Sequence, residues 1–97
     1  TTFAHTVGIV IGENAKINAN VTILQCVTLG GSFNSTNSQI IDSGTTLCAG
    51  AKIIGNVKIG KRCIVGANAV VTKDIADDKV VVGYNKVLDV PSDHYLK

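Results

Sequence analysis

The chain has no tryptophan, no methionine and a single proline in 97 residues, and its aromatics amount to 4%. Large rings fill the wide cores of ordinary globular domains. A chain with so few of them, yet 45% hydrophobic, has to fill its interior mainly with Val, Ile, Leu, Ala and Cys, which suits a narrow one. One proline against ten glycines indicates many tight corners and no Pro-rich linker. Charge is sparse as well. Charged residues make up 16% of the chain and the net charge is +2, too slight for a nucleic-acid or anionic-membrane partner. Eight of the nine Lys and Arg residues lie from Lys52 onward, and no charge falls between Ile17 and Ile41. That neutral stretch is no membrane span, because Asn, Ser, Thr and Gly interrupt it throughout. Nothing at the start reads as a signal peptide. The three cysteines, Cys26, Cys48 and Cys63, are odd in number and form no C-x-x-C pair. They read as reduced thiols in the cytoplasm.

What the chain does have is a period of six. Ile11, Ile17, Ile23 and Leu29 keep the step, and Ile41, Leu47, Ile53, Ile59, Val65 and Val71 resume it in the same phase. With 29 Ile, Leu and Val residues in 97, ten hits in ten arise by chance at a frequency on the order of 10⁻⁵ to 10⁻⁶. Six matches neither a helix nor a simple amphipathic strand; it is the signature of a parallel β-helix. Two residues before the next aliphatic stands a small or β-branched residue: Ala15, Val21, Val27, Thr45, Ala51, Val57, Cys63 and Ala69. Both positions point inward. The residue after the aliphatic is often Gly or polar (Gly12, Asn18, Gly30, Asp42, Gly60, Gly66), where a corner calls for a permissive backbone. If three hexads close one coil, residues 18 apart stack at roughly 4.8 Å, giving about four or five coils.

The chain thus reads as one all-β solenoid domain, 1–97. Its period breaks between Leu29 and Ile41, where a run of Asn, Ser, Thr and Gly over 32–39 cannot fill an aliphatic prism and bulges out as a loop. Thr72 to Lys79 reads as a polar turn, Val80 to Val82 as a final strand, and 87–97 as a C-terminal tail. So small a chain cannot bury a generous core alone, and one aliphatic flank of the prism calls for an oligomer.

With the hexads placed, His5-Thr-Val-Gly-Ile-Val-Ile-Gly-Glu13, Val21-Thr-Ile-Leu-Gln-Cys-Val-Thr-Leu-Gly-Gly31 and Ala49-Gly-Ala-Lys-Ile-Ile-Gly-Asn56 resemble the left-handed β-helix domain of the serine acetyltransferases. The resemblance covers roughly Phe3 to Leu88. It implies a left-handed coil, a homotrimer, acetyl-CoA bound in grooves between neighbouring prisms, and transfer of acetyl to a hydroxyl.

By this resemblance His5 is the catalytic general base, the group an alcohol needs to lose its proton as it attacks; the alternative is a surface histidine near a frayed terminus. Counted back from Ile11, His5 points inward; counted from Phe3 through Ile9 it points outward with two extra residues before Ile11, and this is the register expected, because Phe3 and Ile9 then fill the prism. Glu13 is a candidate for a supporting role. Gly30 and Gly31 offer a side-chain-free edge to the pantetheine arm and a main-chain N–H for the oxyanion. Ala49, Gly50 and Ala67 occupy corner positions along the implied CoA groove. Lys73, Lys79 and Lys86 lie where the family places the CoA phosphates, and His94 reads as a tail residue.

The acceptor rests on departures from the family. Serine acetyltransferases read Asp-His at the catalytic position and Arg-His in the loop; this chain reads Ala4-His5 and Asn37-Ser38. Asn34, Asn37, Ser38 and Gln39 present neutral donors and acceptors that suit a sugar, whereas a zwitterion needs charged partners. A saccharide is therefore the expected acceptor of an acetyl-CoA-dependent O-acetyltransferase without a metal, and L-serine the alternative. A zinc hydratase needs three histidines and the chain has two, His5 and His94. A non-catalytic β-helix module is the remaining rival.

Overall fold

The structure, a computed structural model, describes residues 2–3 (backbone only), 8–12, 15–30 and 38–89. Strands and turns account for all of them. The first coil carries β1 (Thr2–Phe3), β2 (Val10–Ile11) and β3 (Lys16–Ile17); the second β4 (Thr22–Ile23), β5 (Thr28–Gly30) and β6 (Gln39–Ile41). The third holds β7 (Thr46–Leu47), β8 (Lys52–Ile54) and β9 (Val57–Ile59), and the fourth β10 (Ile64–Val65) and β11 (Val70–Val71). The chain ends in β12 (Lys79–Val82) and β13 (Lys86–Asp89). Like strands stack into three walls: sheet A is β1-β4-β7-β10-β12-β13, sheet B β11-β8-β5-β2, and sheet C β3-β6-β9. All pairings are parallel except β12 with β13.

Each hexad uses three residues for a wall and three for a corner. Val21 and Ile23 are fully buried while Thr22 between them is half-exposed, the alternation that a strand imposes. The same rule puts every expected aliphatic from Ile23 to Val71 inside at 0% exposure, with Val27, Thr45, Ala51, Cys63 and Ala69 beside them. Ile9, Ile11, Ala15 and Ile17 pack against this core from the first coil. Thr45 is tolerated because its hydroxyl donates to the Gly60 carbonyl at 2.7 Å and accepts the Cys63 N–H at 3.1 Å.

The corners differ from expectation. The left-handed backbone falls three residues after the aliphatic, at Asn20, Cys26, Gly44, Gly50, Arg62, Asn68 and Asp78, with φ between 54° and 76°. Asn, Asp and Gly tolerate this region best. Arg62 is held there by Asp78 in the next coil, Nε to Oδ1 at 2.7 Å and Nη2 to Oδ2 at 2.9 Å. The glycine directly after the aliphatic serves another end. A Cβ on Gly60 would lie 2.7 Å from the Asp77 nitrogen and 2.8 Å from the Ala76 carbonyl carbon, and one on Gly66 3.1 Å from the Val81 oxygen. These glycines let the next coil approach.

Register reports where the period is broken. Ile11 pairs with Leu29, Ile41 with Ile59, Leu47 with Val65 and Ile53 with Val71, each 18 apart. Ile17 pairs with Ile41, Ile23 with Leu47 and Leu29 with Ile53 at 24, so the interruption adds six residues to the step between stacked strands. Phe3 pairs with Ile23 at 20, which puts two extra residues between Phe3 and Ile11, the stretch that contains His5. Val65 pairs with Val81 at 16.

That last contraction corrects the polar turn at Thr72 to Lys79. Ile75 is buried and pairs with Ile59, so the segment completes the fourth coil two residues short. Two boundaries shift as well. Gln39, assigned to the loop 32–39, begins β6 and is 1% exposed. The expected tail 87–97 opens as a strand, because Lys86 to Asp89 folds back on β12, pairing Val87 with Val81 and Leu88 with Val80. The outward row of sheet A (Thr22, Thr46, Ile64, Val80, Leu88) carries no charge, whereas that of sheet C holds Lys16, Ile40, Lys58 and Asp74.

Candidate functional site

His5, Gly31, Asn34 and Asn37 lie outside the described residues, as do Glu13 and His94. The remaining candidates divide between two corners and the final strand. At the corner between sheets A and B, Ala49 is half-buried and Ala67 exposed, stacked in consecutive coils; the Asn68 N–H donates to the Ala49 carbonyl at 2.9 Å. Their methyl groups leave this edge low and the backbone approachable. Gly50, beside them, is buried, and a Cβ there would sit 2.0 Å from Asn68 Oδ1. Its missing side chain makes room for Asn68, and its carbonyl accepts the Lys52 ammonium at 3.0 Å.

Ser38 and Lys73 stand at the corner between sheets B and C. Ser38 is half-buried, with its N–H donating to Asn56 Oδ1 at 2.8 Å and its carbonyl accepting the Val57 N–H at 3.1 Å. Lys73 is exposed two coils further on. Lys86, on β13, is exposed as well. Lys79 is committed elsewhere: its ammonium pairs with Asp89, which raises the Lys79 pKa and lowers that of the carboxyl. The candidates within one prism therefore face different directions. A single groove that uses them all needs two prisms.

Gln39, taken from the sequence as a loop donor, points into the prism. Its Nε2 donates to the Gly30 and Gly55 carbonyls, each at 2.8 Å. The signal was available, since Gln39 stands two residues before Ile41, the inward small position of every other hexad. Asn56, which receives Ser38, had no such signal. On the charged wall, Asn18 Nδ2 donates to Asp42 Oδ1 at 3.0 Å; with the Ser43 N–H it holds the Asp42 carboxyl below its usual range. Burial pushes the Cys48 and Cys63 thiols up, and Cys63 Sγ donates to the Ala76 carbonyl at 3.1 Å. Neither is a ready nucleophile. Among the described residues no three His, Cys, Asp or Glu side chains gather as a metal site.

Residues 40–73 match the family described as bacterial transferase hexapeptide (six repeats), and residues 4–25 the hexapeptide repeat of succinyl-transferase. A serine acetyltransferase of Buchnera aphidicola is 43% identical over 82 residues, covering 81% of this chain and 30% of its own length. Soybean serine acetyltransferase complexed with serine superposes with a TM-score of 0.84 at 40% identity, over 90% of this chain and 37% of that one. A serine acetyltransferase in complex with CoA gives a TM-score of 0.76 at 38% identity, over 84% of this chain and 36% of that one. The chain spans about a third of the length of these relatives. With its six-residue period, three parallel walls and this likeness, the chain belongs to the hexapeptide-repeat acetyltransferase family, as a left-handed β-helix of the serine acetyltransferase-like kind.

Proposed function

We propose that this chain is the catalytic β-helix of an acetyl-CoA-dependent O-acetyltransferase whose acceptor is L-serine. The observation that carries the reading is the 40% identity and TM-score of 0.84 to an enzyme complexed with serine, over 90% of this chain. The serine hydroxyl attacks the thioester carbonyl as His5 takes its proton. The tetrahedral oxyanion rests on a main-chain N–H at Gly31 and collapses with loss of the CoA thiolate, which recovers the proton from the imidazolium. The transfer is direct, since no Cys or Ser of the chain stands in a recognisable sequence pairing with His5. Positioning two bound reactants is worth up to roughly 7–11 kcal/mol in such a reaction. Lys73 and Lys86 supply charge for the CoA phosphates, and Ala49 and Ala67 the low edge along which the pantetheine arm lies.

L-serine displaces the saccharide expected from the neutral loop, because the relatives are named for serine. The saccharide stays as the second reading on one observation: Ala4 and Asn37-Ser38 stand where the family carries charges, and no charge falls between Ile17 and Ile41. Competition between L-serine and a neutral glycoside for limiting acetyl-CoA is expected to give mainly O-acetylserine. Predominant sugar ester would restore the saccharide.

The site is shared in a homotrimer. Support comes from the uncharged outward row of sheet A, ending in Val80 and Leu88, set against the charged row of sheet C. Turning that row toward a neighbour buries apolar surface, with the charges of sheet A confined to its last two strands, at Lys79, Lys86 and Asp89. Sedimentation at micromolar concentration is expected to show three chain masses; a stable monomer would remove both the trimer and the shared groove. Three free thiols, Cys26, Cys48 and Cys63, fit a cytoplasmic setting.

A further inference from the structure

Gln39 stands in the interior where the other coils place an apolar or small residue, stacked between Ala15 and Val57. It marks the neck of the inserted segment. Gly30 is the last described residue before the insertion and Ser38 the first after it, and one corner of the next coil grips both. The Gly55 N–H donates to the Gly30 carbonyl at 3.0 Å, Asn56 Oδ1 receives the Ser38 N–H, and the Val57 N–H reaches the Ser38 carbonyl. Gln39 locks the two sides together through its two donated hydrogens, to Gly30 and to Gly55. An apolar side chain would pack there as well, as Val21, Ala51 and Ala69 do in equivalent rows. Those rows have no insertion to hold.

We infer that Gln39 is a positioning residue for the acceptor. It fixes the main chain of Gly30 and Ser38, and so the place of Ser38, the one of the expected acceptor contacts Asn34, Asn37 and Ser38 that lies among the described residues. The inference rests on the proposed transferase reading. A buried amide is favourable only while its hydrogens are used, which couples the geometry of the neck to this one side chain.

The test compares wild type with Gln39→Leu and Gln39→Glu in the full chain. Gln39→Leu is expected to raise the KM for L-serine by at least about tenfold, with kcat and the KM for acetyl-CoA held within about twofold. Gln39→Glu donates one hydrogen when neutral and faces two carbonyl oxygens when ionised. Its KM for serine is therefore expected to climb with pH where that of wild type is flat. Hydrogen exchange should quicken at Ser38, Gly55 and Val57 in Gln39→Leu and stay unchanged along sheet A. An unchanged serine KM, or a uniform rise in exchange with both KM values, would overturn the inference, since Gln39 would then be only a core residue. If wild type transfers acetyl to no acceptor, the proposed function falls and Gln39's role toward an acceptor falls with it. The exchange arm then decides separately whether the clamp exists.

Discussion

His5→Ala is expected to lower acetyl transfer by roughly 10²–10⁴-fold, the usual cost of losing a general base. Affinity for CoA should be preserved, because in the proposed mechanism the imidazole acts on the acceptor proton and takes no part in holding the nucleotide. The measurement is thiol release from acetyl-CoA alongside CoA binding by calorimetry. If the variant kept half of the wild-type turnover, His5 would be no more than a surface residue near the chain's start. If turnover and CoA binding fell together, its part would be in binding instead of proton transfer.

Leu47→Ala carries the largest expected loss of stability. Leu47 is fully buried, stacked between Ile23 and Val65 in the middle of sheet A. A solenoid row cannot close over the gap, because backbone hydrogen bonds on both sides fix the coil spacing: Leu24 N–H to the Leu47 carbonyl at 3.0 Å, and Cys48 N–H to the Val65 carbonyl at 2.9 Å. The substitution should cost about 2–5 kcal/mol and drop the melting midpoint by roughly 10 °C or more. Lys58→Ala, on the exposed face of sheet C, should change stability by less than about 0.5 kcal/mol. Equal midpoints for the two variants would show that the row at Leu47 does not hold the prism.

The walls were legible because burial repeats. Every inward position from Val21 to Val71 except Gln39 could be read from a step of six and its companion two residues earlier, since a narrow prism favours aliphatic or small side chains there. The corners were less legible. Glycine directly after the aliphatic invites an argument from backbone freedom, yet Gly60 and Gly66 are there because the next coil comes too close for a Cβ. The left-handed positions fell instead to residues such as Cys26 and Arg62, which carry no turn signature. Ile75 escaped because the step shortens from 18 to 16 in the fourth coil, and only counting back from Val81 recovers it. Of the expected site residues, Ala67, Lys73 and Lys86 are exposed and Ala49 half-buried, as residues at corners and on the last strand should be. Hydrogen-bond partners were beyond reach, since nothing in the residue type of Gln39 or Asn56 says which carbonyl or N–H the fold will bring to it.

Pairings that span the insertion from Ile17, Ile23 and Leu29 step by 24 residues and those from Ile41, Leu47 and Ile53 by 18, so the walls keep their stacking across it. Its described flanks, Gly30 and Ser38, are both held by Gly55, Asn56 and Val57 of the next coil, so the walls are fixed from outside the segment between them. Lengthening such a tethered segment costs little chain entropy, about 0.6 kcal/mol for each doubling. On the proposed transferase reading, exchanging that one segment changes the acceptor side of the site and leaves the 18-residue stacking of the walls as it is.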